Sequence, residues 1–310
     1  MKILFFGTSD FATPTLDALV SCSRHTLVGV VTQPDRPSGR GRHINCSDVK
    51  VAALRYELPI LQPRRVKHAS FIETARELAP DVLVLASFGQ IIPQTLLELP
   101  KFGPINVHGS LLPAYRGAAP IQYSILNGDL TTGVTTMWMD ATLDTGDILL
   151  QRSLSIEPDD TTGTLTPRLA GIGAELLMET LELLEQGICP RIPQDHSLAT
   201  FTSPILPADS LIDWGDSAKR IRNQILALSP RPGCITKMKG KLVKVWAAKA
   251  LDGESNGAQG AVCSITKEGV LVHTGNSLLC LMEVQQENSR RMNASDWARG
   301  ARITPGDVFD

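Results

Sequence analysis

The chain predicts an α/β protein in two parts: a parallel sheet flanked by helices, then a small β-barrel. Strand and helix signals alternate through the first half. An aperiodic stretch at 188–207 holds Pro190, Pro193, Pro204 and Pro207, which is linker composition. The tail then turns to short strands parted by glycine-bearing turns. A βαβα order calls for parallel strands, because parallel neighbours need a crossover long enough to hold a helix. Several short strands with turn signals between them suit a barrel.

In chain order, residues 3–6 form an apolar strand closed by Gly7. A helix follows, with Ser9 or Asp10 as N-cap and Phe11, Leu16, Leu19 and Val20 on its apolar side. Residues 27–31 make the second strand. Ser47 or Asp48 caps a helix reaching Tyr56, and residues 59–61 are short and strand-like. An amphipathic helix over 71–78 leads into 81–86, an apolar run of the fully buried kind. Residues 105–108 form another strand, 118–126 a helix, and 134–139 and 147–154 extended segments. A long helix over 164–186 ends at Gly187. Past the linker, a helix around 217–228 precedes strands at 242–246, 260–265, 270–273 and 278–284. Lys239-Gly240, Gly253, Glu268-Gly269 and Gly275-Asn276 supply the turns. The expected domains are residues 1–187 and 208–310, joined by 188–207.

Composition narrows the class. With 310 residues, 43% hydrophobic and 20% charged, the chain can bury a substantial core and is not disordered. The net charge of −2 is unevenly spread: residues 208–310 carry 14 Lys/Arg and 11 Asp/Glu, the remainder 16 and 21. A basic tail on an acidic body points to an anionic partner. Six cysteines, none in a Cys-x-x-Cys pair, suit reduced cytosolic thiols rather than a disulfide framework. No apolar run reaches the roughly 18 residues that a membrane span needs. A strand pattern that begins at once leaves no room for a targeting peptide, so a cytoplasmic protein is expected.

The chemistry gathers in two short segments. Residues 105–113 read Ile-Asn-Val-His-Gly-Ser-Leu-Leu-Pro, and 140–147 read Asp-Ala-Thr-Leu-Asp-Thr-Gly-Asp. Side chains two apart on a strand share a face, so Asn106 and His108 meet in one site. They fall at the carboxyl end of a strand, where open α/β sheets build their sites. Asp144 is the candidate carboxylate to orient the imidazole. When an amine attacks a formyl or acyl carbon, the carbonyl oxygen becomes an oxyanion that needs donors; an Asn amide and a protonated His both donate. A carboxylate beside an imidazole favours its charged form and can take a proton from the amine. Each residue also has a structural reading: a histidine closing a strand, an asparagine capping a turn, an Asp-Thr-Gly turn.

Other chemistries lack their marks. Gly7-Thr8-Ser9-Asp10 has only the first glycine of a dinucleotide fingerprint, and Gly171-Ile172-Gly173 lies within a helix pattern. There is no Gly-Lys-Ser/Thr loop, no His-Glu-x-x-His and no Gly-x-Ser-x-Gly. The six histidines are dispersed, so no metal site is expected. Two basic stretches remain. The long segment from Pro34 to Asn45 contains Arg36, Arg40 and Arg42 among glycines, and residues 219–249 hold nine Lys/Arg and no acid. Such runs also occur as plain solvated faces; flanking a candidate site, they suit a polyanionic substrate.

Nearly the whole chain resembles the methionyl-tRNA formyltransferase family. The resemblance is carried by Gly7-Thr8-Ser9-Asp10-Phe11-Ala12, by Thr32-Gln33-Pro34-Asp35-Arg36-Pro37, and by Asn106 through Pro113 with Tyr115-Arg116-Gly117-Ala118-Ala119-Pro120. Leu143-Asp144-Thr145-Gly146-Asp147, Ile212-Asp213-Trp214 and Val243-Lys244-Val245-Trp246 extend it. It implies a Rossmann-like formyltransferase domain and an OB-like C-terminal barrel that binds tRNA. It implies 10-formyltetrahydrofolate as donor, without a metal, and initiator methionyl-tRNA as acceptor. Asn106, His108 and Asp144 fall on the family's catalytic positions, and Ser110, Leu111, Leu112 and Pro113 on its tetrahydrofolate-binding segment. Arg36, Arg40 and Arg42 fall in its tRNA-entering loop; Lys237, Lys239, Lys241 and Lys244 are the candidate tRNA contacts of the tail. A monomer that meets no membrane is expected. Thr202-Ser203-Pro204 and the segment from Ser229 to Cys234 depart from the family pattern, at linker contacts rather than at the chemistry. Two rivals are a formyltransferase or hydrolase working on a small substrate, and a folate- or RNA-binding protein without turnover.

Overall fold

A computed structural model describes residues 1–38 and 43–310. They divide into two compact units: Met1–Pro120, Thr131–Ser155 and Thr166–Ser203 form the first, and Ile121–Leu130, Ile156–Leu165 and Pro204–Asp310 the second.

The strands up to Ser203 are β1 (Lys2–Gly7), β2 (Thr26–Val31), β3 (Arg36–Ser38), β4 (His43–Asn45), β5 (Ile60–Leu61), β6 (Val82–Ala86), β7 (Pro104–His108), β8 (Arg116–Gly117), β9 (Thr131–Trp138), β10 (Ile148–Ser155) and β11 (Phe201–Thr202). The helices are α1 (Thr13–Ser21), α2 (Asp48–Arg55), α3 (Ala69–Glu77), α4 (Gln94–Leu97), α5 (Pro120–Asn127) and α6 (Thr162–Glu185). Seven strands make one sheet in the order β10-β9-β7-β6-β1-β2-β5. From β5 to β7 all neighbours are parallel, as the βαβ alternation predicts. The segments at 134–139 and 147–154 prove to be an antiparallel edge: β9 runs against β7, and β10 against β9. The chain between β9 and β10 is too short for a crossover helix, so it folds back on itself.

Ile3 to Phe6 in β1 and Val82 to Ala86 in β6 are buried on both faces, as expected where helices cover a parallel sheet on both sides. On one face Phe71 and Ala75 of α3 and Leu96 and Leu97 of α4 pack with Leu4, Phe6, Leu83 and Leu85. On the other, α6 lies so close that a Cβ at Gly173 would meet Val107 Cγ1 at 2.9 Å. Ser47 caps α2 by accepting from the Lys50 amide at 3.0 Å. The α1 region starts as a 3-10 turn, with no side-chain cap bond from Ser9.

At the carboxyl ends of the strands the loops are laced together. Thr8 Oγ1, after β1, and Gln33 Nε2, after β2, both donate to the Phe88 carbonyl after β6, at 2.9 and 3.2 Å. β6 and β2 flank β1 on opposite sides, so the strand order reverses there, which is where such folds open a crevice. Residues 188–203, whose prolines suggest a linker, pack within the first unit: Ile192 bridges Ile148, and β11 pairs with β8. Aperiodic composition marked an irregular strap lying on the domain, not a free connection.

Beyond nearly all of α5 and the first residues of α6, the second unit contains α7 (Ala218–Ala227), β12 (Cys234–Met238), β13 (Lys241–Leu251), β14 (Val262–Ile265), β15 (Val270–His273), β16 (Leu278–Gln286), β17 (Met292–Asn293) and α8 (Ala294–Gly300). Its antiparallel sheet runs β12-β13-β16-β15-β14, with β17 beside β16. The last residues join its two edges: Phe309 bridges Met238 of β12, and Val308 bridges Ala261 ahead of β14. The strands therefore curl into a closed barrel. Its core gathers Ile221 and Ile225 of α7, Val243, Val245, Leu279 and Leu281, with Trp214, Trp297 and Phe309. Phe309 lies 5.3 Å from Trp214 and 6.1 Å from Trp297, ring to ring.

Candidate active site

β7 carries Asn106 and His108 to the carboxyl end of the sheet. Asn106 lies between Leu85 of β6 and Met137 of β9, and His108 opposite Thr135. Asn106 is half-buried, and its side-chain amide has no hydrogen-bond partner among the described residues. His108 is buried. Its Nε2 stands 2.9 Å from the Tyr115 carbonyl, which only accepts, so Nε2 carries a hydrogen. Its Nδ1 faces Asp144 Oδ2 at 3.7 Å. That is ion-pair range but longer than a hydrogen bond. Nδ1 is therefore the loosely held nitrogen of the ring.

Asp144 comes from the loop between β9 and β10. Its backbone is left-handed, with φ 53°, a conformation that costs a non-glycine residue free energy unless its surroundings impose it. Here they do. The Gly117 amide donates to Asp144 Oδ2 at 2.8 Å. Gln194 Nε2 donates to the carbonyls of Asp144 and Gly146 at 2.9 and 2.7 Å. A Cβ at Gly146 would collide with the Trp138 carbonyl, so only glycine lets the loop turn this tightly.

The candidate folate segment is held from beneath by one hydroxyl. Thr135 Oγ1, fully buried, donates to the Ser110 carbonyl at 2.7 Å and accepts from the Leu112 amide at 3.1 Å. Gln151 Nε2 bonds both Thr135 Oγ1 at 2.9 Å and the Leu112 carbonyl at 2.8 Å. The Ser110 hydroxyl closes the turn on the Ala114 carbonyl at 2.6 Å. Ser110 is thus committed to shaping the segment, while Leu111 and Pro113 stay partly exposed.

The basic candidates divide. Arg40 and Arg42 lie outside the described residues. Arg36 is exposed at the start of β3. It follows Asp35, whose carboxyl bonds to Lys50 Nζ (2.5 Å) and Gln62 Nε2 (2.9 Å), bonds that hold its pKa below the usual range. In the barrel, Lys237 and Lys241 are exposed. Lys239 is tied to Asp307 at 2.9 Å and to the Arg302 carbonyl at 2.8 Å. Lys244 donates to the Pro232 carbonyl at 2.8 Å and sits 5.3 Å from the Trp246 ring centroid, with Arg291 4.9 Å from the same ring. That face combines cations with an aromatic. Among the described residues, no group of three or more His, Cys, Asp or Glu is placed to hold a metal ion.

Sequence reasoning missed Thr135, Gln151, Arg116 and Gln194. Thr135 and Gln151 sit in strands whose alternation does not tell a supporting hydroxyl or amide from an ordinary one. Gln194 lies in the proline-rich stretch, which has no period at all.

Comparison with known proteins adds to this geometry. Residues 1–181 match the family described as Formyl transferase, and residues 204–302 that described as Formyl transferase, C-terminal domain. A Syntrophus aciditrophicus protein named methionyl-tRNA formyltransferase is 45% identical over 309 residues, covering 100% of this chain and 99% of that one. A Moorella thermoacetica protein of the same name is 44% identical over 309 residues, with the same coverage of 100% and 99%. Among solved structures, an N-formyltransferase from Helicobacter canadensis, in complex with folinic acid and dTDP-3-aminofucose, aligns with a TM-score of 0.67 at 18% identity, covering 91% of this chain and 99% of that one. HypX from Aquifex aeolicus, in complex with tetrahydrofolic acid, aligns at 0.61 and 18% identity, covering 96% of this chain but 47% of that one. These two likenesses speak for the fold.

Proposed function

The chain belongs to the formyl transferase family, and on that premise we propose that it transfers the formyl group of 10-formyltetrahydrofolate to the α-amine of methionine on initiator methionyl-tRNA. The observation that carries this is the end-to-end likeness, at 45% identity, to a relative bearing that activity's name. A folate-derived donor agrees with the family and with a structural neighbour solved with tetrahydrofolic acid.

The neutral amine attacks the formyl carbon and forms a tetrahedral intermediate. The unpartnered amide of Asn106 donates to the resulting oxyanion. His108, protonated, turns its Nδ1–H to the same oxygen, since Nε2–H is held by Tyr115. Preorganised donors of this kind stabilise the developing charge without reorganising. The Asp144 carboxylate, beside the ring, accepts the proton that the amine must lose. The oxyanion then re-forms the carbonyl, the carbon–N10 bond breaks, the proton held by Asp144 passes to N10, and tetrahydrofolate leaves. No covalent enzyme intermediate and no metal ion has a part in these steps.

Ser110, Leu111, Leu112 and Pro113 form the wall against which the folate lies. Residues 1–187 thus bind donor and carry the chemistry, and 208–310 bind tRNA. Arg36, Arg40 and Arg42, with Lys237, Lys239, Lys241 and Lys244, meet its phosphates, for which arginine's planar fork is well shaped. Translation starts in the cytoplasm, and the protein acts there as a monomer. No helix among the described residues is long and apolar enough to cross a membrane.

The test is transfer of labelled formyl from 10-formyltetrahydrofolate to methionyl-tRNA. Label recovered on the methionine α-amine supports the function. Label released as formate, or accepted only by a small amine such as an amino sugar, overturns it.

A further inference from the structure

A buried arginine stands behind Asp144 with only neutral partners. Arg116 is 3% exposed. Its Nε and Nη2 donate to Gln194 Oε1 at 3.1 and 2.7 Å, and Nη2 also bonds His196 Nδ1 at 3.0 Å. Among the described residues it has no carboxylate partner. Burying a guanidinium against an amide is costly, so its retention needs a reason beyond packing.

The reason lies in the amide it polarises. A guanidinium only donates, so Gln194 must turn Oε1 toward it. That leaves Nε2 facing the other way, with one hydrogen for the Asp144 carbonyl and one for the Gly146 carbonyl. Arg116 therefore sets the orientation of Gln194, and Gln194 holds the backbone of Asp144. A charged partner also strengthens a hydrogen-bonded chain of this kind.

Arg116 and its neighbour reach Asp144 by two routes. The adjacent Gly117 amide bonds the Asp144 carboxylate directly. Arg116 is fixed at and just before β11, its amide donating to the Thr200 carbonyl at 2.8 Å and its carbonyl accepting from Thr202 Oγ1 at 3.2 Å, while Gly117 pairs with Thr202. Gly117 has φ 118°, and a Cβ there would collide with the Thr202 carbonyl.

We infer that Arg116 and Gln194 are positioning residues that hold Asp144 in its left-handed conformation and aim its carboxylate at His108 and at the incoming amine. This rests on the proposed role of Asp144 in formyl transfer. Neither residue touches the reacting atoms.

The test variant is Gln194→Glu. A carboxylate still accepts from Arg116, so the buried cation keeps its partner and the fold survives. It has no hydrogens for the Asp144 and Gly146 carbonyls, so the loop is released. Gln194→Ala would strand the guanidinium and confuse lost folding with lost aim. Gln194→Glu is expected to fold and to melt within a few degrees of wild type, its ion pair with Arg116 offsetting part of the cost of the two carbonyls left without donors. Its Gly117 amide resonance should shift toward that of Asp144→Ala, and the amide should exchange faster. With unchanged KM values, kcat should fall about 10-fold or more, the scale on which a misplaced catalytic group is felt. In an Asp144→Ala background the same change should cost nothing more, as expected of coupled residues. An unmoved Gly117 amide, or a loss that adds fully to that of Asp144→Ala, overturns the inference. The Gly117 amide decides this even if wild type transfers no formyl, an outcome that would refute only the proposed reaction.

Discussion

Asp144 Oδ2 lies 3.7 Å from His108 Nδ1 while the Gly117 amide holds it at 2.8 Å. The carboxylate is thus anchored to the backbone and leans toward the imidazole without closing on it. In the proposed reaction the protonated ring can give Nδ1–H to a substrate oxygen without first breaking a short bond to the carboxylate.

Replacing Asp144 should separate charge from anchoring. In Asp144→Asn the side-chain oxygen still accepts from Gly117, so thermal stability should stay near wild type. The lost negative charge should lower kcat by about 10²-fold, within the usual range for general acid–base groups. Unchanged turnover in the folded variant would remove Asp144 from the chemistry.

Asn106→Ala should leave the fold intact, because the half-buried amide bonds nothing among the described residues. Turnover should drop by about 10²–10³-fold, the effect of losing one oxyanion donor. Stopped-flow kinetics with a folate binding measurement would show whether the loss falls on kcat, as expected, or on donor affinity.

These residues were legible for a physical reason. Asn106 and His108 belong to a regular strand, where a spacing of two guarantees a shared face. Asp144 was legible only as a residue type in an Asp-Thr-Gly turn; its left-handed backbone and its hold on Gly117 depend on β8, far away in sequence. Gln194 was unreadable, since its role is to satisfy carbonyls of an irregular loop, which leaves no period. The antiparallel β9–β10 edge and the short helix α8 escaped similarly. α8 is one brief segment capped by Asn293, which accepts from the Ser295 amide at 2.7 Å. Its worth comes from Trp297 meeting Phe309, a tertiary contact.

Thr135→Val should destabilise the first unit by about 2 kcal/mol, because the change keeps the volume but leaves buried groups around Ser110 and Leu112 unpaired. Thr135→Ser should restore most of it. Denaturant midpoints would measure both, and equal midpoints for Val and wild type would show that the hydroxyl anchors nothing.

Burial pushes the Cys234 thiol up to about 12, so it remains protonated at pH 8 and is a poor nucleophile. Cys46 is exposed. Iodoacetamide at pH 8 should modify Cys46 well before Cys234 in the folded protein, with mass spectrometry locating the label. Early labelling of Cys234 would mean that the barrel core opens readily.

Arg40→Ala and Arg42→Ala should raise KM for tRNA and leave folate binding unchanged. If each arginine meets a phosphate, the slope of log affinity against log salt should become shallower by roughly 0.7–0.9 for each one removed. An unchanged slope would place both outside the tRNA contact.

The most direct measurement is single-turnover transfer of labelled formyl from 10-formyltetrahydrofolate, comparing wild type with Asn106→Ala and using initiator and elongator methionyl-tRNA in parallel. Rapid labelling of the initiator by wild type, little of the elongator, and a loss of about 10²-fold or more in the variant are the expected results. Equal rates for wild type and variant, or no labelled tRNA from a protein that binds the folate, would contradict the assignment of this site to formylation of the initiator.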